Sequence, residues 1–281
     1  MTRPTVRAAA LAVAALASIV VFGVRVPYSR VSIMTIVTLE LTALASLAWW
    51  AGSSRIVRGS GNERLLATVG TLLLAPCVLF ALVPGLGPPW LATAEENQRR
   101  YVILLVDTIA ISGGLIVLAF AIREVGERFY STLCLAATIL AGPSSVAWAS
   151  MLVAASYARG QSSEMPIAMV GFISDLSDSL LFIAGFLTYL GTAAVAMALR
   201  RAGWLGRTAA RLCAAVSLGL AACLALRGIR FPDPNIALAT WYLVPGFVAG
   251  IPAIPWLVPI GIGIVLLSRA DLLQVDEPRP N

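Results

Sequence analysis

The sequence predicts an all-α protein, a polytopic transmembrane helix bundle of about eight spans whose last span is broken by prolines. Hydrophobic residues make up 59% of the 281 residues and charged residues only 12%, whereas a typical soluble domain has about 25% charged residues. A water-soluble core cannot hide so much apolar surface, so lipid must cover most of it. The apolar residues also fall into runs long enough to cross a hydrocarbon layer about 30 Å thick.

Eight apolar runs define the predicted spans of a single membrane domain. They lie at 8–24, 32–52, 65–84, 101–122, 129–157, 179–199, 208–226 and 239–268. A polar tail follows at 271–281, which we expect to be disordered. The first run also contains Ala15-Leu16-Ala17, which has the small-x-small form of a signal-peptide cleavage site, so cleavage of this span stays open.

Two of these runs need further argument. A helix from Pro166 to Leu199 would be much longer than the bilayer is thick, so we begin the sixth span at Ser179 and expect 166–178 to project from the membrane or lie at its surface. The last run contains four prolines, which a regular helix cannot accommodate: Pro245, Pro252, Pro255 and Pro259. A broken helix at membrane depth requires protein or a water-filled cavity around its freed carbonyls.

The basic residues predict the topology. All 20 are arginine, and none is lysine. With both termini in the cytoplasm, the arginines near the cytoplasmic ends of the spans outnumber those near the outer ends. Because arginine-rich ends face the cytoplasm, we expect a bacterial cytoplasmic membrane with both termini inside. The arginines lie between spans rather than in one patch, so we do not expect nucleic acid as a partner; the expected partner is the lipid bilayer, and the oligomeric state stays open.

The absence of histidine excludes several functional classes. Ser-His catalysis, histidine-ligated zinc or diiron and histidine-bound haem all need a residue that this chain lacks. The four cysteines each lie inside an apolar run and form no CxxC pair, which is typical of small buried side chains. We therefore expect no cofactor, no metal and no catalytic residue.

Carboxylates inside the spans are the candidate functional groups. An ionised side chain at membrane depth costs roughly 2.5 to 3.5 kcal/mol on insertion scales, so it faces the interior, has a partner or stays protonated. In the predicted topology Glu40 lies roughly 12 Å and Asp107 roughly 9 Å from the outer end of a span, while Asp178 lies at the outer boundary. With the broken last span, represented by Pro252, they predict an outward-facing acidic cavity. The predicted ligand-binding residues are Glu40, Asp107, Asp178 and Pro252.

Alternatives exist for each acid. Asp107 shares a helical face with Ala110 and Gly114, which predicts that it points into the bundle. Like the other acids, it then binds a ligand, contacts a lipid headgroup, or stabilises packing by pairing with an arginine or bonding a neighbouring serine or threonine. Asp175 and Asp178 lie at i, i+3 and either hold a divalent cation or act as N-cap and first-turn residues of the sixth span. We favour the second interpretation.

Part of the chain suggests a resemblance. A basic hairpin, Ala202-Gly203-Trp204-Leu205-Gly206-Arg207, precedes a last span that contains Pro245-Gly246 and is rich in proline and tryptophan. In this, 178–269 resembles bacterial multi-pass integral membrane proteins to which no activity is assigned. The resemblance implies a membrane location and no activity.

The sequence supports three functional hypotheses. The favoured one is binding or transport of a small solute, an ion such as a proton, or a lipid, with Glu40 and Asp107 in the cavity. The alternative is a non-catalytic membrane partner or assembly factor, in which the acids only fix helix packing. The third is a lipid-modifying membrane enzyme that uses the carboxylates as acid or base.

Overall fold

A computed structural model describes residues 56–80, 92–160, 166–231 and 243–269, together with the single residues Leu39, Ala43, Ser46, Trp50 and Pro89. Every regular element in these ranges is helical, which confirms the predicted all-α class there. The predicted spans at 8–24 and 32–52, apart from the four single helical positions, and the tail at 271–281 lie outside the described residues, as does Glu40. The count of eight spans stays a prediction.

Seven α-helices and one short 3-10 helix follow one another in the described ranges. They are α1 (Gly61–Phe80), α2 (Ala94–Glu124), α3 (Phe129–Gly160), α4 (Ile167–Arg201), α5 (Arg207–Arg227), α6 (Leu243–Ala249), the 3-10 helix (Ile254–Trp256) and α7 (Leu257–Arg269). Four of them, α2 to α5, are long and apolar enough to cross a membrane. They contain the predicted spans at 101–122, 129–157, 179–199 and 208–226.

The helix α2 begins at Ala94, seven residues before the predicted span, because a capping box starts it. The Thr93 backbone N–H donates to Glu96 Oε2 at 2.8 Å, and the Glu96 N–H donates to Thr93 Oγ1 at 3.2 Å. These two bonds satisfy N–H groups that a helix start otherwise leaves free. The residues from Ala94 to Arg100 are thus part of the helix.

The helix α4 is continuous over 35 residues, which corresponds to a length of about 52 Å. It begins right after Pro166, a residue that suits the edge of a first helical turn. Its first ten residues are mostly exposed, with Ile167 91% and Phe172 66% exposed. Burial against other described helices starts only near Ala184. The helix does not break at Ser179, and a projecting or surface-lying first third stays a prediction.

The helices pack in a closed series. Each of α1 to α5 contacts the helix that follows it in the chain, and α7 returns to contact α1. The largest buried cluster joins side chains of α1, α2, α3, α4, α5 and α7. The 3-10 helix between α6 and α7 is itself buried, at Ile254, Pro255 and Trp256. The broken segment therefore lies inside the bundle rather than on its surface.

The contact between α1 and α7 depends on two glycines. A Cβ at Gly70 would lie 2.6 Å from Leu267 Cγ and 2.9 Å from the Gly263 carbonyl oxygen. A Cβ at Gly263 would lie 2.9 Å from Leu73 Cβ and 3.0 Å from the Gly70 carbonyl oxygen. The two backbones approach closely because neither position has a side chain, as is common between helices in membranes.

Candidate functional site

The predicted ligand-binding residues fall at separate places. Glu40 lies outside the described residues. Asp107 is in the middle of α2, Asp178 is in the first half of α4, and Pro252 lies in the turn after α6. Among the described side chains, no hydrogen bond or ion pair joins Asp107, Asp178 and Pro252 to one another. The structure gives each acid a different environment.

Asp107 faces the interior, as its spacing with Gly114 predicts. The residue is 0% exposed, and neither carboxyl oxygen has a hydrogen-bond partner among the described groups. Its side chain lies within electrostatic range of Cys77 on α1. Two turns along the same face, a Cβ at Gly114 would lie 3.0 Å from Leu73 of α1. Asp107 thus lies on the face of α2 that α1 covers, and no described arginine pairs with it.

Asp178 and Asp175 fix the chain that follows α5. Asp178 Oδ2 accepts a 2.9 Å hydrogen bond from the Phe231 backbone N–H. Asp175 Oδ1 lies 3.6 Å from Arg230 Nη2 in an exposed ion pair. The two carboxylates therefore contact different residues of one loop. Their interpretation as N-cap and first-turn residues is wrong, because α4 begins at Ile167 and both lie well inside it.

No metal centre is evident in the described ranges. Within them, no three His, Cys, Asp or Glu side chains lie close enough together to hold a metal ion. The described cysteines carry free thiols, of which Cys77 and Cys134 are buried.

The break between α6 and α7 lines a small cavity. The helix α6 ends at Ala249, a turn follows at 250–253, and the 3-10 helix begins at Ile254. The cavity has a volume of about 20 Å³, which is space for about one water molecule. Its lining comes from α2, α3, α4 and the broken segment: Thr108, Ser145, Trp148, Leu181, Ala184, Gly185, Thr188, Ala249, Gly250, Pro252, Pro255 and Trp256.

Two residues that line this cavity each carry a polar atom that is buried without a partner among the described groups. These atoms are Thr108 Oγ1 on α2 and Trp148 Nε1 on α3, and neither forms a hydrogen bond within the described part of the chain. Leaving such a group unsatisfied costs about 1 to 3 kcal/mol, and native proteins hold few of them. Thr188, which also lines the cavity, differs, because its Oγ1 donates to the Ala184 carbonyl at 2.7 Å. Two of the lining residues therefore carry a polar group whose hydrogen bond is not satisfied within the described part of the chain.

Among the described residues, none that lines this cavity is charged. Pro252 belongs to the lining, but neither Asp107 nor Asp178 does, and ligand binding by Pro252 stays a prediction. Thr108 directly follows Asp107 in α2, so the two side chains leave the helix about 100° apart. An acidic cavity stays a prediction for the region of Glu40, outside the described residues.

Sequence reasoning missed Thr108, Ser145 and Trp148. Single hydroxyls and tryptophans are common in apolar helices, and their spacing does not reveal whether their hydrogen bonds are satisfied. One signal was present: Ser145 and Trp148 follow Pro143 in α3 at helical spacing. Only the position of the broken segment opposite them shows that they border a cavity.

Polar contacts hold the C-terminal end of α6. Tyr189 of α4 is 1% exposed, and its hydroxyl donates to the Ala249 carbonyl at 2.8 Å. This carbonyl is one of those that a helix end leaves free. Arg227, in the last turn of α5, is 8% exposed and lies against Gly246 and Gly250 of the broken segment. The position of the helix break is thus set by contacts from α4 and α5.

Comparison of the chain with family models, with curated proteins and with solved structures finds no match.

Proposed function

We propose that this chain is a membrane protein that binds or transports a small uncharged solute, with the cavity at the helix break as its binding site. One observation carries the proposal: Thr108 and Trp148 line a cavity beside a broken helix, and the buried hydroxyl of the one and indole N–H of the other lack partners among the described residues. Broken helices at membrane depth commonly form the solute sites of transporters. The four membrane-length apolar helices support a membrane location.

The chemistry of the lining indicates the class of solute. An indole N–H only donates, so Trp148 needs a ligand with a hydrogen-bond acceptor, while the Thr108 hydroxyl both donates and accepts. The uncharged lining offers no countercharge for an ion. A molecule that carries a hydroxyl or carbonyl oxygen, such as water, a short alcohol or an amide, satisfies both groups. At about 20 Å³ the cavity accepts water as it stands, and a larger solute requires it to widen.

Asp107 is the proposed proton-binding group. It is fully buried and has no described partner, and acids of this kind within membrane helices commonly belong to proton pathways. It lies at the α1–α2 contact, one residue before the cavity residue Thr108. In this proposal, together with Glu40, it couples solute movement to protons across a bacterial cytoplasmic membrane that the chain crosses eight times with both termini inside.

Solute flux into proteoliposomes tests the proposal. Stopped-flow light scattering measures the permeability to water, glycerol and urea for the purified protein and for Thr108→Val, which removes the hydroxyl and keeps the shape. Thr138→Val is the matched control, because Thr138 is buried in α3 away from the cavity and donates to the Cys134 carbonyl at 2.8 Å. We expect Thr108→Val to lower the flux of at least one solute at least tenfold and Thr138→Val to leave it within twofold.

The result that overturns the proposal is equally clear. If the protein raises the permeability to none of the three probes above that of empty liposomes, or if both valine variants behave alike, the cavity is not a solute site.

The exposed first part of α4 favours the second candidate function, a non-catalytic membrane partner. Apolar side chains at Ile167, Met169 and Phe172 are more than half exposed, and no described helix covers them. A partner protein in the membrane would bury such a surface. Replacement of Phe172 with serine then breaks a co-purifying complex without changing solute flux, which separates this function from the first.

A further inference from the structure

The end of α6 is held by a group of residues that we name the latch: Asp178, Tyr189, Arg227, Phe231, Gly246 and Gly250. We infer that the latch controls the width of the cavity, because it fixes the helix break that forms one cavity wall. Ala249, Gly250 and Pro252 line the cavity. Of the latch residues, Tyr189 bonds to the Ala249 carbonyl and Arg227 packs against Gly250. The inference goes beyond the proposed function, since it concerns access to the cavity and not the identity of the solute.

Arg227 occupies space that two glycines leave open. A Cβ at Gly246 would lie 2.5 Å from Arg227 Cβ, and a Cβ at Gly250 would fall on Arg227 Nη1. The arginine stem therefore packs directly against the α6 backbone, and the guanidinium takes the place of a side chain at position 250. Any displacement of Arg227 away from α6 leaves a gap beside the cavity wall.

The guanidinium is itself fixed from the other side. Arg227 Nε donates to the Gly228 carbonyl at 3.2 Å and Nη2 to the Ile229 carbonyl at 3.4 Å, while Cζ lies 4.8 Å from the centre of the Phe231 ring. The Phe231 ring packs edge-on to Phe247 of α6, with ring centres 5.0 Å apart. Asp178 of α4 accepts the Phe231 N–H, so α4, α5 and α6 are joined through this loop.

One donor of the Arg227 guanidinium has no partner among the described residues. Arg227 Nη1 is buried and has no hydrogen-bond partner among the described groups. A buried guanidinium donor without a partner is costly, which lowers the free energy needed to move Arg227 away from Gly250. Tyr189 opposes that movement through its bond to the Ala249 carbonyl. The latch thus combines a donor without a described partner with a satisfied hydrogen bond, as expected of an element that opens and closes.

Thiol reactivity measures whether the latch sets cavity width. Ser145→Cys places a thiol in the cavity lining with little change in volume, in a background with Cys77, Cys134, Cys213 and Cys223 replaced by alanine. Mass spectrometry of the purified protein then gives the rate of modification by a small and a bulky methanethiosulfonate reagent. The latch variants are Tyr189→Phe, which removes only the hydroxyl, and Arg227→Met, which keeps the stem without its donors.

We expect each latch variant to raise the rate at which the bulky reagent modifies the introduced thiol at least tenfold. The rate of modification by the small reagent should rise much less. In the double variant the rate with the bulky reagent should rise by less than the product of the two single increases, since the effects of residues that act as one unit are not additive. Arg230→Ala is the matched control: Arg230 lies in the same loop but is largely exposed, and its ion pair is with Asp175 rather than with α6, so this variant should keep the modification rate within twofold of the parent.

Gly250→Ala keeps the inference testable if Arg227→Met fails to fold. Its Cβ takes the place of Nη1, and the flexible guanidinium must move, so the bulky reagent should again react faster. Unchanged rates in Tyr189→Phe and Gly250→Ala, with thermal unfolding like that of the parent, overturn the inference. Absence of solute flux in the parent protein overturns the proposed function and leaves these rates unaffected.

Discussion

Thr108 and Thr138 are both buried threonines in the middle of helices, and their hydrogen bonding differs. Thr138 donates to the Cys134 carbonyl, and Thr108 has no partner in the described ranges. Thr138→Val should therefore lower the free energy of unfolding by about 1 kcal/mol, whereas Thr108→Val should leave it unchanged or raise it by about as much. Denaturant unfolding in detergent measures both values.

An equal loss in the two valine variants contradicts this prediction, because it means that the Thr108 hydroxyl has a partner in the resting protein. Stability that is retained while flux is lost is what we expect of a residue kept for binding rather than for packing.

Asp107 distinguishes a functional acid from a structural one. Where an acid stabilises packing through a partner, its replacement by asparagine leaves that partner unsatisfied and costs about 3 to 5 kcal/mol for a buried ion pair. Because no described group pairs with Asp107, we expect Asp107→Asn to change the free energy of unfolding by less than about 1 kcal/mol. Proton-linked flux should be lost. Thermal unfolding and flux at two pH values measure these effects.

Asp178→Asn is the comparison for this variant. It weakens a bond between α4 and the Phe231 backbone, so it should lower stability more than Asp107→Asn does. A large loss of stability in Asp107→Asn instead identifies a partner in the part of the chain outside the described residues, and the acid is then structural.

At the scale of elements, local sequence predicts helices well and their ends poorly. The four long apolar runs all become helices, since lipid and protein interiors both require satisfied backbone groups. The start of α2 at Ala94 was predictable in principle from the Thr93–Glu96 capping box. The start of α4 was not: Asp175 and Asp178 look like first-turn residues, and only the loop after α5 shows that they bind its backbone and Arg230 instead.

The same limit applies to the cavity. Prolines and glycines between Pro245 and Gly263 predict that the last span breaks, and it does so after Ala249. Sequence alone does not give the residues opposite the break, because these come from α2, α3 and α4 and meet only through long-range packing. Hence the break near Pro252 was predictable, and its packing opposite Thr108 and Trp148 was not.

The α1–α7 contact gives the prediction that belongs to this scale. Gly70→Ala and Gly263→Ala should each destabilise the protein by about 1 to 3 kcal/mol, because the added methyl group forces two tightly packed backbones apart. Gly219→Ala in α5 is the control: a Cβ there meets no atom within 4 Å, and alanine favours a helix over glycine by up to about 1 kcal/mol. In denaturant unfolding, the free energy of unfolding should fall below that of the parent for Gly70→Ala and Gly263→Ala and rise above it for Gly219→Ala. Equal effects at Gly70 and Gly219 exclude close packing as the reason for the glycine.

For the whole molecule, the described helices have two chemically distinct ends. The ion pair of Arg201 with Glu127, at 3.8 Å, joins the end of α4 to the turn between α2 and α3. The bond of Asp178 to Phe231 joins the opposite part of α4 to the end of α5. Arginines are more frequent at the first end, with Arg58, Arg64, Arg123, Arg128, Arg200, Arg201, Arg207 and Arg211, than at the second, with Arg99, Arg100, Arg159, Arg227 and Arg230.

This asymmetry predicts the orientation, because arginine-rich ends of membrane helices face the cytoplasm. We expect Val125→Cys, in the turn between α2 and α3, to be protected from a membrane-impermeant thiol reagent in intact bacteria, and Ile229→Cys, after α5, to be labelled. Both native side chains are exposed, so accessibility of the introduced thiols depends on the side of the membrane. Permeabilised cells, where both variants should react, provide the control. Labelling of the first variant alone in intact cells reverses the orientation, and the latch and the cavity wall that it holds then face the cytoplasm.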